Sequence, residues 1–140
     1  NIFSDAWYIF PEHGLTEKKL SDWNHIVKIR SIANKKIEEL REKGEVGSSL
    51  QAELEIKAPD DIYDSLMSFE EELKFIFIAS KVSVINSSGS LEIIVNKSAY
   101  KKCERCWHYS EDVGFNQSHN DICERCISNL YGSGERRVHA

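Results

Sequence analysis

No stretch of this sequence is long and apolar enough to cross a bilayer. The longest apolar run is Phe75–Ala79, the size of a strand, whereas a spanning helix needs roughly 20 apolar residues. The first residues show no basic segment followed by an apolar one, so no signal peptide is visible. A membrane is therefore not among the expected partners. Cysteine is absent before position 103, and all four cysteines fall within 24 residues. A disulfide framework would be spread through the chain instead. Positive charge is scarce too. The net charge is −5, and the deficit lies in residues 1–99, with 12 Lys and Arg against 17 Asp and Glu; residues 100–140 hold six of each. Non-specific attraction to phosphate needs clustered Lys and Arg, so any nucleic-acid contact must rest on a few placed side chains. Methionine occurs once, at Met67, and the first residue is Asn1, which leads us to expect a piece of a longer chain.

What is present is globular in balance, 41% hydrophobic and 29% charged. The cysteines form two pairs, Cys103-Glu-Arg-Cys106 and Cys123-Glu-Arg-Cys126, with sixteen residues between them. Two cysteines at this spacing on a tight turn aim both sulfurs at one point. Two such turns make a closed four-thiolate site that suits one structural zinc ion. Two disulfides, a dithiol redox pair and an iron site are the rival readings. Zinc with four thiolates nets −2, which Arg105, Arg125, Lys101 and Lys102 can offset. His108 and His119 lie inside the finger as surface groups or as supports to the ligands. The finger's apolar residues are few: Tyr100, Trp107, Tyr109, Val113, Phe115, Ile122, Ile127, Leu130 and Tyr131. Metal binding must then supply most of its folding free energy. Many such turns carry Gly after the second cysteine; Trp107 and Ile127 stand there, which leaves the turn geometry open.

The rest predicts an α+β protein: a long N-terminal helix, a small α+β junction unit and the C-terminal four-cysteine zinc finger. Residues 15–43 read as one long helix or a short and a long one. Trp23, Ile26, Val27, Arg30, Ala33, Ile37 and Leu40 mark its apolar face, Ser21 its N-cap and Gly44 its C-cap. Asn1–Gly14 is aromatic-rich, an arm that packs on something. Residues 50–58 alternate as a half-buried strand does, and Pro59 stops them. Asp60 or Asp61 caps a short helix running through Met67–Glu72. Lys74–Ala79, Lys81–Ile85 and Leu91–Asn96 read as strands, with a turn over Asn86–Ser90. Three parts follow, with boundaries 1–48, 49–98 and 99–140.

The segment Lys102-Cys-Glu-Arg-Cys-Trp-His-Tyr109, with Asp112-Val-Gly114 and Ile122-Cys-Glu-Arg-Cys126, resembles the C-terminal zinc segment of bacterial isoleucyl-tRNA synthetases. Trp23 through Arg30, Asn34-Lys-Lys-Ile-Glu38, Arg41, Val46-Gly-Ser-Ser-Leu50 and Glu72-Leu-Lys-Phe75 agree with the end of that enzyme's anticodon-binding helical domain and the junction after it. Gly134-Glu-Arg-Arg137 fits its ending. The resemblance implies a parent that attaches isoleucine to its tRNA using ATP, monomeric and cytoplasmic. The nucleotide-binding motifs of the His-Ile-Gly-His and Lys-Met-Ser-Lys-Ser type are absent here, so this piece is expected to be non-catalytic. Its expected partners are the anticodon arm of tRNA(Ile) and the remainder of the synthetase polypeptide.

RNA loops are read by stacking bases on aromatic or Arg planes and by hydrogen bonds to base edges. Trp107 is the expected stacking residue and Arg105 the expected base or phosphate contact, against a reading in which Trp107 is core and Arg105 only offsets thiolate charge. Arg125 holds the matching place in the second turn, Arg136 and Arg137 form a phosphate-clamping tail, and Arg30 is a buried structural Arg or an RNA contact near the junction. Lys35, Lys36 and Arg41 are candidates for stem phosphates. Two other functions compete: the DNA-binding finger of formamidopyrimidine-type DNA glycosylases, and a scaffold with no nucleic-acid role. The former would need a helix–two-turn–helix element before the finger, which strand-rich residues 50–96 do not supply.

Overall fold

Thr16 starts the first helix: its hydroxyl accepts from the Lys19 N–H at 3.3 Å, and Glu17 sits in the first turn, where a carboxylate meets the positive end of the helix dipole. In the computed structural model, which describes residues 6–9 and 14–137, α1 then runs unbroken from Glu17 to Glu42. Ser21 is therefore not the cap, and the single helix replaces the short-and-long alternative. At the other end the Gly44 N–H donates to Arg41 O and the Glu45 N–H to Leu40 O, both at 2.9 Å. This is the paired closure of a helix end that needs a left-handed residue, and Gly44 provides it at φ +73°. A Cβ on Gly44 would meet nothing within 4 Å, so Gly44→Ala should cost only the left-handed conformation, about 1 kcal/mol. Chemical denaturation of the chain checks this.

The buried stripe of α1 is Ile26, Ile29, Ala33 and Ile37. Trp23 and Val27 lie outside it, 45% and 48% exposed, and Arg30 is only partly buried. The sequence holds two overlapping stripes at helical spacing, and the helix buries the one centred on its isoleucines. Trp23 instead meets Phe69, ring centroids 5.9 Å apart. Of the N-terminal arm, residues 1–5 and 10–13 lie outside the described residues, and Trp7, Tyr8 and Ile9 are exposed.

The junction unit is built on β1, Ala52–Ala58, whose alternation buries Ala52, Leu54, Ile56 and Ala58. β1 is the central strand, parallel to β2 (Lys81–Asn86) and antiparallel to β3 (Glu92–Lys97). A parallel pair needs a helical crossover, which α2 (Asp60–Met67) and α3 (Leu73–Phe77) supply. Pro59 occupies the cap position of α2, so Asp60 and Asp61 sit in its first turn rather than capping it. The expected strand over Lys74–Ala79 is a correction: most of it is α3. A short apolar run does not distinguish strand from helix; here Leu73 and Phe77, four apart, are the buried pair. Ile78 ends the helix in the left-handed region, φ +53°, a costly place for a β-branched residue. The buried Ser65 of α2 fastens it to α1 by donating to Asp22 Oδ1 at 2.8 Å. One apolar cluster joins α1, α2, α3 and the sheet, and its buried members contain no residue beyond Ile93.

The finger follows: β4 (Lys101–Lys102) and β5 (Tyr109–Ser110) form a two-stranded antiparallel ribbon, and α4 spans Glu124–Tyr131. Two serines join it to the junction unit. Ser80 donates to Leu50 O and accepts from the Tyr109 N–H, the latter at 2.6 Å. Ser98 donates to Glu53 Oε1 at 2.6 Å and accepts from the Tyr100 N–H at 3.3 Å. Among the described residues no helix is long and apolar enough to cross a membrane.

Candidate metal centre

The first cysteine turn links β4 to β5. The Cys103 N–H donates to His108 O at 2.8 Å and the Trp107 N–H to Cys103 O at 2.9 Å. Closing the turn this tightly puts the residue after Cys106 in the left-handed region, and Trp107 adopts φ +66°. That conformation costs an L-residue about 1–2 kcal/mol. The second turn needs no such residue because it opens into a helix: Cys123 is the N-cap of α4, and the Ile127 N–H donates to Cys123 O at 3.0 Å. Cys123 makes no side-chain cap hydrogen bond. Asp112 acts in its place, accepting from the Glu124 N–H at 2.8 Å.

These turns bring the four sulfurs within 4.8 Å of one another. Cys103 and Cys126 are 3.7 Å apart at sulfur, as are Cys106 and Cys123. A disulfide needs about 2.0 Å, and all four cysteines are free. A tetrahedron with bonds of about 2.3 Å to sulfur has edges of about 3.8 Å, the zinc–thiolate value. Cys103, Cys106, Cys123 and Cys126 thus fit one zinc ion, and the donor set is closed to substrate.

The hydrogen bond with Cys123 holds the Cys106 thiol down to about 2 against its burial, with His108 and Arg125 adding to the effect. The same hydrogen bond pushes Cys123 up, and burial adds to it. Burial raises Cys126 as well. Four thiolates in so small a space need a cation among them. Arg105 donates to Cys126 Sγ at 3.5 Å. Arg125 keeps its charge despite burial because Cys106 and Glu135 face it.

The apolar core around the sulfurs is thinner than the sequence suggests. Val113 is buried and Ile122 partly so, while Tyr100, Phe115, Leu130 and Tyr131 are exposed and Trp107 is 59% exposed. Neither histidine belongs to the sulfur cluster. His108 lies edge-on to Phe75 at 5.8 Å, and His119 stacks on Tyr131 at 4.4 Å.

The structure separates the candidate RNA-facing residues. Arg105 and Trp107 are together on the first turn, both exposed, with Lys102 Nζ 5.0 Å from the Trp107 ring centre. Arg125 is half-buried and Arg137 exposed, yet both are ion-paired to Glu135 at 2.9 Å and both set against Phe75. Arg136 is exposed. Arg30 lies on α1, outside the finger, its buried Nε without a hydrogen-bond partner. Lys36 donates to Ile93 O at 2.7 Å and Arg41 pairs with Glu38, while Lys35 is exposed. Sequence reasoning missed the parts played by Phe75, Ser80, Ser98, Asp112 and Glu135. Phe75, Asp112 and Glu135 stand within segments that carry the family resemblance, but nothing in those segments marks what they touch.

Residues 101–129 match the zinc finger found in FPG and IleRS. Beyond the finger, the chain is 42% identical over 141 residues to an isoleucine–tRNA ligase of Cupriavidus taiwanensis, covering 99% of this chain and 15% of that protein. The chain matches a segment of the isoleucine–tRNA ligases. An isoleucine–tRNA ligase 1 of Burkholderia mallei is 41% identical over 97% of the chain, and an isoleucine–tRNA ligase of Bordetella pertussis 40% over 99%; the chain again spans 15% of each. The finger match alone leaves the DNA-glycosylase alternative standing. The ligase similarity runs through α1 and the junction unit as well, so that alternative is not favoured.

Proposed function

We propose that this segment binds the anticodon arm of tRNA(Ile) for a parent enzyme that joins isoleucine to tRNA at the expense of ATP in the cytoplasm. The segment contributes no catalytic group. The observation that carries the reading is Trp107, a large aromatic ring held 59% exposed on a left-handed backbone. Strain of this kind persists only where the surroundings enforce it, and it concentrates at functional sites. The metal turn fixes the backbone on both sides of the ring, so a base can stack without the ring first being ordered. Arg105 stands two residues away with its guanidinium on Cys126 Sγ, placed for a base edge or phosphate. Arg136 and Arg30 are secondary candidates for phosphates. The overall charge of −5 makes placed contacts, rather than bulk attraction, the source of affinity.

The test is titration of the zinc-loaded chain with tRNA(Ile) and with duplex DNA of matched length at fixed salt. Preference for tRNA is the expected result; equal or better binding of duplex DNA would transfer the reading to the glycosylase class. In the full-length enzyme, Arg105→Ala should lower kcat/KM for tRNA more than twofold with zinc content unchanged. A change within twofold removes Arg105 from the interface.

A further inference from the structure

Phe75 stands on α3, outside the finger, yet its ring is where the finger's second half comes to rest. The Arg137 guanidinium lies 3.8 Å from the ring centre and that of Arg125 at 5.0 Å, while His108 meets it edge-on. Glu135 holds the two guanidinium groups side by side, each at 2.9 Å, and Asn129 donates to the same carboxylate oxygen at 3.1 Å. The Glu135 N–H returns to Asn129 Oδ1 at 2.7 Å, so the residues after α4 are folded back onto the helix. Arg125 also adjoins Cys126, whose sulfur accepts from Arg105 at 3.5 Å. A continuous path of contacts therefore leads from α3 through Phe75 and Arg125 to the metal turn that carries Arg105 and Trp107.

We infer that Phe75, Arg125, Glu135 and Arg137 form a clasp that fixes the finger's orientation on the junction unit, with Phe75 as its positioning residue. The serine contacts at Tyr100 and Tyr109 hold the ribbon end of the finger. Alone they leave a pivot about residues 98–100. The clasp holds the α4 end, and two separated attachments remove the rotation that one permits. Guanidinium–aromatic contacts are strongest when partly withdrawn from water, and here Arg125 is half-buried and ion-paired from its other side. On this assignment Arg125 and Arg137 serve RNA indirectly, by aiming Trp107. Only that consequence rests on the proposed function.

The test measures amide residual dipolar couplings on the full zinc-loaded chain. In the unmodified chain the couplings of α4 and of the β2-β1-β3 sheet should fit one alignment tensor. Phe75→Leu should split them into two, with zinc still bound one to one, and Phe75→Tyr should restore one. Glu135→Gln loosens the ion pairs without touching α3 and should also split them, so the outcome does not depend on how Phe75→Leu packs. A single tensor in both Phe75→Leu and Glu135→Gln would overturn the clasp, as would Phe75→Tyr behaving like Phe75→Leu. tRNA affinity measured on the same samples should fall for Leu and recover for Tyr. If the tensors split while the unmodified chain binds no tRNA, the clasp holds and the RNA reading falls.

Discussion

Stripping zinc from the chain, or replacing Cys103 with Ser, should unfold residues 101–131 while α1 and the three-stranded sheet remain folded. Two separate apolar clusters underlie this expectation. The larger joins α1, α2, α3 and the sheet and draws none of its buried members from the finger. The smaller consists of the cysteines with Val113 and Ile122. A core that thin cannot order thirty residues, since each costs on the order of 1–2 kcal/mol of backbone entropy. Zinc binding contributes about 10–16 kcal/mol in comparable fingers, so nothing replaces it when it is lost. Circular dichroism should report loss of an eight-residue helix and retention of the 26-residue α1, and amide exchange should rise throughout the finger and little in β1. Restoring zinc should refold the chelated chain but not Cys103→Ser. Acid should act as chelation does. The ligands must be thiolates, so the stabilisation is present at neutral pH and is lost as falling pH returns protons to sulfur. If the whole chain instead melts in one transition, the contacts at Phe75, Ser80 and Ser98 couple the two clusters more tightly than their separate cores imply.

The four ligands were legible because their chemistry is local: two sulfurs on one tight turn need only two intervening residues. β1 was legible because a strand with one buried face must alternate, and Ala52, Leu54, Ile56 and Ala58 do. α3 was misread because Phe75–Ala79 carries too few residues to establish a period, and its helical form is set by packing against elements distant in sequence. The face of α1 was displaced for a related reason. Trp23 and Val27 fit a helical stripe as well as Ile29 does, and the choice between stripes is made by α2 and the sheet, far away in sequence. Ser80, Glu135 and Phe75 left no local signal of their roles, which depend on partners 29, 10 and 62 residues distant, Tyr109, Arg125 and Arg137 respectively. The absence of Gly after Cys106 was visible, but its meaning was not. Either the turn differed or Trp107 was strained, and the backbone at φ +66° shows the second.

That strain makes Trp107 a position where stability and RNA affinity should part company. Trp107→Ala keeps a side chain in the left-handed region and so retains the cost of about 1–2 kcal/mol. Trp107→Gly removes that cost and incurs about 0.5–1 kcal/mol of extra unfolded-state entropy. Both lose the Lys102 contact at 5.0 Å, worth about 0.5–1 kcal/mol at an exposed site. The Gly variant should therefore be more stable than the Ala variant by up to about 1.5 kcal/mol, read as zinc affinity by chelator competition and as the melting temperature of the finger. On the proposed function the two should be equally impaired against tRNA(Ile), each losing a stacking contact of about 1–3 kcal/mol, roughly 5- to 150-fold in affinity. A core Trp behaves otherwise. Its removal would cost about 3–5 kcal/mol in both variants, zinc affinity would fall with it, and the loss of RNA binding would track the loss of fold. Equal RNA defects with unequal stabilities, the Gly variant standing higher and both close to the unmodified chain in zinc affinity, are the result expected of a ring that faces the RNA rather than the protein, because the two substitutions differ in what they do to the backbone and not in what they remove from the surface.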